Sequence, residues 1–164
     1  MNTHADSVTA PTGRVQPTPA AAPHRTPASL SVQLARAAAD LPVDGVGLLL
    51  HQPPDPWTPL AASNPTTALV ACLDRAVGDG PCQEAVHTGR PVIATQEVLI
   101  RRWPVFTERL LEQTPIRSIL LMPLSGRLHG RGYLLFCSAA ADGVTTLPLI
   151  QLCFVTGLLS HELG

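Results

Sequence analysis

The 164-residue sequence contains no lysine, so arginine alone supplies its eleven basic residues. Twelve acidic residues oppose them, and the net charge at pH 7 is −1. A protein that binds DNA or RNA usually carries a basic excess, because each phosphate contact needs a positive group. The composition gives no sign of such a surface, and we expect no direct nucleic-acid partner.

Long apolar segments and paired cysteines are also missing. No apolar stretch reaches the roughly 18 residues of a membrane span, and the first residues lack the basic start, apolar run and cleavage site of a signal peptide. The four cysteines, at positions 72, 82, 137 and 153, are widely spaced. We therefore expect reduced thiols in a cytoplasmic protein with no membrane partner.

The chain divides into a tail and one domain. Residues 1–28 are rich in Pro, Ala and Thr and have no periodic apolar pattern, which predicts disorder. Residues 29–164 are enough for a single domain with a substantial core.

The clearest local signals lie between Gly78 and Val92. Gly80 and Pro81 suit the cap and first position of a helix, where a missing proline N–H costs nothing. Gly89, followed by Pro91, is the matching stop signal. These residues predict a helix of about two turns with Cys82 in its first turn, followed by a strand at 92–95.

Apolar periodicity and proline positions predict the remaining elements. Residues 118–124 are apolar on both alternating faces, as in a central strand covered on both sides, and 133–138 should pair with them as an antiparallel hairpin. Pro59 makes 58–62 an edge strand. The helix capped by Asn64 carries an apolar stripe that includes Cys72, which we expect to be a buried core thiol. The other predicted elements are a strand at 46–51 and helices at 29–41, at 102–114 and from 146 almost to the end.

The last predicted helix is apolar nearly all round. One stripe consists of Leu149, Leu152, Cys153, Thr156, Leu159 and Leu163, and a second of Ile150, Phe154 and Leu158. Such a helix must be covered on more than one side. We expect a homodimer that forms through the first and last helices.

This order of elements predicts an α+β fold, an antiparallel sheet with helices on both faces. Within it, the run Gly78-Asp79-Gly80-Pro81-Cys82 with Glu84-Ala85, then Thr88-Gly89-Arg90-Pro91-Val92, then Arg102-Trp103-Pro104 with Phe106, resembles the GAF domains of actinobacterial signalling proteins. The resemblance covers about residues 29–164.

The resemblance implies a sensory module whose pocket lies between the sheet and the helices of one face, where some members bind small molecules or cofactors. In many similar proteins an RNA-binding ANTAR domain follows and regulates transcription. The sequence stops at Gly164 without that pattern. We therefore expect a small-molecule sensor that contacts a downstream regulatory protein through its dimer helices; the alternative is a ligand-free dimerisation or interaction module.

The candidate pocket residues are Cys82, Trp103, Phe106, Leu120, Met122 and Tyr133. Aromatic, sulfur and aliphatic groups together suit an apolar small ligand. The alternative is that they only fill the core, which we favour for Leu120 and Met122. The sequence names no cofactor, and it shows no cyclic-nucleotide signature.

Cys82 could have chemistry of its own. The positive end of a helix dipole lowers a thiol pKa, which would suit a redox sensor. The favoured alternative is that Cys82 packs with Ala85 and Val86.

Two further activities have weaker support. Cys82 and His87 are five residues apart and do not share a helix face as metal ligands would, although a single axial His for haem stays open. The resemblance also extends to free methionine-R-sulfoxide reductases, but residues 95–106 contain no second cysteine to resolve an oxidised one. We expect a protein that is not an enzyme.

Overall fold

The structure, a computed structural model, describes residues 26–163. They form an α+β fold with a five-stranded antiparallel sheet and helices on both of its faces, as the sequence predicts. In chain order the elements are α1 (Pro27–Ala39), β1 (Gly45–Leu50), β2 (Thr58–Ala62), α2 (Pro65–Val77), α3 (Pro81–Thr88), β3 (Val92–Ala94), α4 (Gln96–Arg102), α5 (Pro104–Gln113), β4 (Ser118–Pro123), β5 (Gly132–Ser138) and α6 (Leu149–Leu163).

The sheet has the strand order β2-β1-β5-β4-β3, and every neighbouring pair is antiparallel. β5 lies at the centre and pairs with β1 on one side and β4 on the other. The predicted hairpin of β4 and β5 is confirmed, and β4 is an interior strand beside the centre. Pro59 lies in β2 at one edge, where its missing N–H interrupts no ladder on the outer side.

The two faces of the sheet carry two separate cores. On one face, α2, α3, α4 and α5 pack over side chains such as Leu49, Ile119 and Leu121, and we call this the α2–α5 core. On the other face, α1 and α6 pack over Leu48 and Leu120, and we call this the α1–α6 core. Neighbouring residues enter different cores because side chains alternate across a strand.

Two boundaries differ from the sequence prediction. α1 starts at Pro27, two residues before its predicted start, with the Thr26 hydroxyl capping it. Positions 1–25, most of the tail predicted to be disordered, lie outside the described residues. The single helix expected from residue 102 to 114 is preceded by another, α4, which the sequence reasoning missed. α4 ends where Pro104 disfavours the helical conformation of Trp103, whose φ and ψ are −132° and 64°.

The predicted burial of Cys72 is wrong, and two residues of the first apolar stripe of α6 are exposed in the single chain. Cys72, expected in the core, is exposed, because α2 turns Val70, Ala71 and Leu73 inward instead. Leu149 and Cys153 of α6 are also exposed, since this helix buries Leu152, Val155, Thr156, Leu159 and Ser160. Across residues 26–163, no helix combines the length and apolar character needed to cross a membrane.

Candidate functional site

A buried carboxylate of α2 holds the first turn of α3. Asp74 has no exposed surface, and its two oxygens accept the Cys82 N–H at 2.8 Å and the Gln83 N–H at 3.3 Å. These N–H groups have no partner inside the helix, so the carboxylate caps it. A Cβ on Gly80 would lie 2.4 Å from an Asp74 oxygen, which explains the glycine at this position. Desolvation raises the pKa of Asp74 to about 6. The hydrogen bonds from Cys82 and Gln83 lower this pKa, but by less than burial raises it.

Cys82 lies fully buried beside this carboxylate. Burial, and next the negative charge of Asp74, raise the pKa of the Cys82 thiol well above its usual value. Both effects oppose the thiolate that a helix-terminal position favours, which supports the alternative that Cys82 packs with Ala85 and Val86 in the core. Cys137 on β5 is also buried, and desolvation raises its pKa as well.

The six predicted pocket residues lie on opposite faces of the sheet. Cys82, Trp103, Phe106 and Tyr133 lie together in the α2–α5 core. Leu120 belongs to the α1–α6 core, and Met122 packs against that core. One pocket cannot be lined by all six, because the alternation of β4 directs Leu120 and Met122 away from the other four.

The four residues that do lie together form a closed core. None of them exposes more than 4 % of its surface, and burial raises the pKa of Tyr133. Side chains of this kind would suit an apolar ligand only if the helices above them moved. The structure therefore brings together four of the expected residues without an open entrance to them.

Two tryptophan–arginine pairs flank α3. The Trp57 Nε1–H donates to Gln83 Oε1 at 2.7 Å, and the Arg75 guanidinium lies 5.9 Å from the Trp57 ring centroid. In the second pair, the Arg102 guanidinium lies 4.5 Å from the Trp103 ring centroid. Arg102 also donates to both carboxylate oxygens of Glu84, at 2.6 and 2.7 Å.

Sequence reasoning missed two of the residues at this site, Trp57 and Asp74. Trp57 is 1 % exposed and follows a proline-rich loop, and its position in the core has no periodic signal. Asp74 lies among the apolar positions of α2. An acidic residue at such a position is the sequence signal that could have identified it.

Two open cavities lie away from these residues. A groove of about 500 Å³ runs between α1 and α6, where Gln33, Arg36 and Asp40 border the apolar side chains of Ala37, Phe154 and Leu158. A smaller cavity of about 170 Å³ lies between α2 and the hairpin of β1 and β2, lined mainly by small side chains including Ala61, Ala68 and Ala71. Within the described part of the chain, no cluster of three or more His, Cys, Asp or Glu side chains could hold a metal ion.

The family model for the GAF domain matches residues 24–146. The chain belongs to the GAF domain family. GAF domains are a ligand-binding sensory and regulatory fold and are generally non-catalytic. Among curated proteins, no sequence matches this GAF domain.

Solved structures of other proteins share the fold. The GAF region of a putative membrane protein from Geobacter sulfurreducens is 16 % identical, with a TM-score of 0.61 over 84 % of this chain and 91 % of that one. NreA from Staphylococcus aureus, mutated in its nitrate-binding site, is 14 % identical, with a TM-score of 0.56 over 77 % and 93 %. A type II free methionine-R-sulfoxide reductase from Thermoplasma acidophilum is 16 % identical, with a TM-score of 0.55 over 83 % and 92 %. At these identities the likeness establishes the fold alone.

Proposed function

We propose that this GAF domain is a non-catalytic regulatory module that forms a homodimer through α1 and α6. In this proposal a small molecule binds in the α2–α5 core, and the dimer helices pass the bound state to a downstream regulatory protein in the cytoplasm, with transcription regulation as the output. The observation that carries the proposal is the uncovered apolar face of α6.

That face is large for a helix in contact with water. Ile150 is 85 % exposed, Phe154 66 % and Leu158 46 %, and they lie four residues apart on one side of α6. Contiguous apolar patches of this kind mark interaction surfaces. The groove beside them, between α1 and α6, offers a matching concave surface to the same helix of a second copy.

A ligand in the α2–α5 core would contact Cys82, Trp103, Phe106 and Tyr133. Two aromatic rings, a phenol and a protonated thiol favour a neutral, apolar molecule over an anion or a sugar. Leu120 and Met122, which belong to the opposite face, are no longer part of this site. NreA, which has a nitrate-binding site, and the methionine-R-sulfoxide reductase use the same fold for small-molecule substrates or ligands.

A second candidate function is a ligand-free dimerisation or interaction module. The observation in its favour is the tight packing of the same four side chains, each of which is at most 4 % exposed, so that a ligand has no open path to them. Native mass spectrometry of protein purified from its own cytosol separates the two. A retained small molecule supports the sensor, and a bare dimer supports the interaction module.

The dimer itself is tested by sedimentation equilibrium at micromolar concentration. We expect the unmodified chain to be a dimer and Phe154→Glu to be a monomer, because a charge would be buried in the interface without a partner. Ile100→Glu is the matched control, since Ile100 is a half-exposed apolar residue of α4, away from α1 and α6. A monodisperse monomer of the unmodified chain would rule the proposal out.

A further inference from the structure

We propose that α3 is a hinged lid on the α2–α5 core, held shut by the contacts of Gln83 with Trp57 and of Glu84 with Arg102. Opening of this lid gives a small apolar ligand access to the core without unfolding the sheet. The ligand part rests on the proposed function, whereas the opening of α3 does not.

Left-handed glycines lie on both sides of α3, where we place the hinges. Gly78 precedes the lid with φ of +74°, and Gly89 ends it with φ of +68°. Both lie in the left-handed region that glycine adopts without strain, and a Cβ at either position would meet open space. Each glycine is the C-cap of a helix, Gly78 of α2 and Gly89 of α3, so the helical hydrogen bonding is interrupted on both sides of the lid.

The lid buries little apolar surface of its own. Its buried side chains are Pro81, Cys82, Ala85 and Val86, whereas the neighbouring α5 buries Phe106 and Leu110. Because hydrophobic stabilisation scales with the apolar area removed from water, the side chains of α3 themselves contribute less to holding it in place than Phe106 and Leu110 contribute for α5. Elements with few large buried side chains are the ones that open locally below the free energy of global unfolding.

Two of the contacts that close the lid are polar and lie near the surface. The side chains of Arg102 and Glu84 are 46 % and 29 % exposed, and Gln83 is exposed. Ion pairs at such exposure contribute little each, so water can replace them. The buried Asp74 carboxylate, which caps α3, would exchange its two N–H bonds for water on opening.

Opening would uncover a site with aromatic walls. α3 packs against β3, β4 and β5. The side chains of β4 and β5 in this core, such as Ile119, Leu121 and Leu135, would form the floor. Trp57, whose Nε1–H donates to Gln83 of the closed lid, and Trp103, which lies under the Arg102 side chain that binds Glu84, would stand at the sides. Such a site suits a neutral molecule with an apolar or aromatic body.

Hydrogen exchange of the full chain, read by NMR in a urea series, tests the opening. The amides of residues 85–88 report on α3, and those of residues 134–136 in the central strand report on global unfolding. We expect α3 to exchange at least about 100-fold faster than β5, with a weaker dependence on urea. Labelling of Cys82 by N-ethylmaleimide, with Cys72 and Cys153 changed to Ser, should follow the α3 rate.

Two variants should loosen the lid alone. Glu84→Gln should raise α3 exchange about three- to tenfold, and Gln83→Ala about tenfold, with β5 unchanged. The matched control is Glu97→Gln, which removes the ion pair of Glu97 with Arg101 within α4 and should change neither rate.

Equal exchange of α3 and β5, with equal urea dependence, would mean that α3 opens only when the whole domain unfolds, and the lid would be ruled out. The same follows if Glu84→Gln and Gln83→Ala raise both rates together. These readouts need no ligand. If the exchange data rule out the lid, native mass spectrometry still decides whether the domain binds a small molecule. If native mass spectrometry finds a bare dimer, the proposal that α3 opens is not affected.

Discussion

At the scale of single residues, Asp74 departs most from what its residue type leads one to expect. Carboxylates are almost never fully buried unless something satisfies them. Here the two N–H groups of the first turn of α3 do so, and the closeness of the carboxylate explains why position 80 is a glycine. One acidic residue thus joins two helices and lies beneath the proposed lid.

The stability of the domain should depend on the protonation of Asp74. Its pKa rises from 3.8 to about 6 on folding, with Cys82 and Asp79 as the titratable groups that act on it. Between these two values the folded state binds the extra proton, so the free energy of unfolding should fall as pH rises from about 4 to 6. The total loss from this group is at most about 3 kcal/mol.

Urea denaturation at several pH values checks this expectation. The stability of the unmodified chain relative to Asp74→Asn should decline over that pH range and level off above it. Asp55→Asn, which removes an exposed loop carboxylate, should leave the decline in place. Parallel profiles for the unmodified chain and Asp74→Asn would contradict the assignment.

The four cysteines should separate into two classes of reactivity. Cys72 and Cys153 are exposed, whereas Cys82 and Cys137 are buried with raised pKa values. Because the thiolate is the reactive form, we expect two rapidly labelled thiols under native conditions and four in denaturant. Peptide mapping by mass spectrometry after N-ethylmaleimide identifies them. Rapid labelling of Cys82 at the rate of Cys72 would contradict the buried environment described above.

At the scale of elements, local chemistry sets where helices begin. Asn64 caps α2, since its Oδ1 accepts the Thr67 N–H at 2.8 Å, and its Nδ2 also donates to the Asp44 carbonyl at 2.7 Å. The same side chain therefore starts a helix and ties it to the segment that leads into β1.

Removing this cap should destabilise the domain. Asn64→Ala should lower the free energy of unfolding by about 1–2 kcal/mol, measured by urea denaturation, because both hydrogen bonds are lost. Thr26→Ala is the comparison, since that cap is exposed and bonds the Ser29 N–H at 3.3 Å. Its effect should be smaller. An effect of Asn64→Ala no larger than that of Thr26→Ala would show that the link to Asp44 adds nothing.

At the scale of the whole molecule, the proposed dimer has a thermodynamic signature. If only the folded chain associates, the melting temperature should rise with protein concentration. Calorimetry over a hundredfold range of concentration should show this for the unmodified chain and for Ile100→Glu. Phe154→Glu should melt at a temperature independent of concentration. A constant melting temperature for all three would argue against the α1–α6 interface.

Much of the fold could be predicted from the sequence because the deciding signals are local. Gly80, Pro81 and Gly89 bound α3 through their own backbone preferences, and Pro59 confines β2 to an edge. The apolar alternation of β4 and β5 made them interior strands. The candidate site was predicted less well, because four of its six residues share a core and the other two point to the opposite face.

The sequence by itself determined the α+β class, the order of most elements and the membership of the GAF family, all of which depend on periodicity and on short motifs. Only the tertiary structure decided how each helix is rotated against the sheet. That rotation exposes Cys72 and buries Asp74, two residues apart on α2. It also brings Trp57 to Gln83, 26 residues away. Contacts of this kind follow from packing in three dimensions, because rotating a helix by the angle of one residue moves a side chain from the core to the surface.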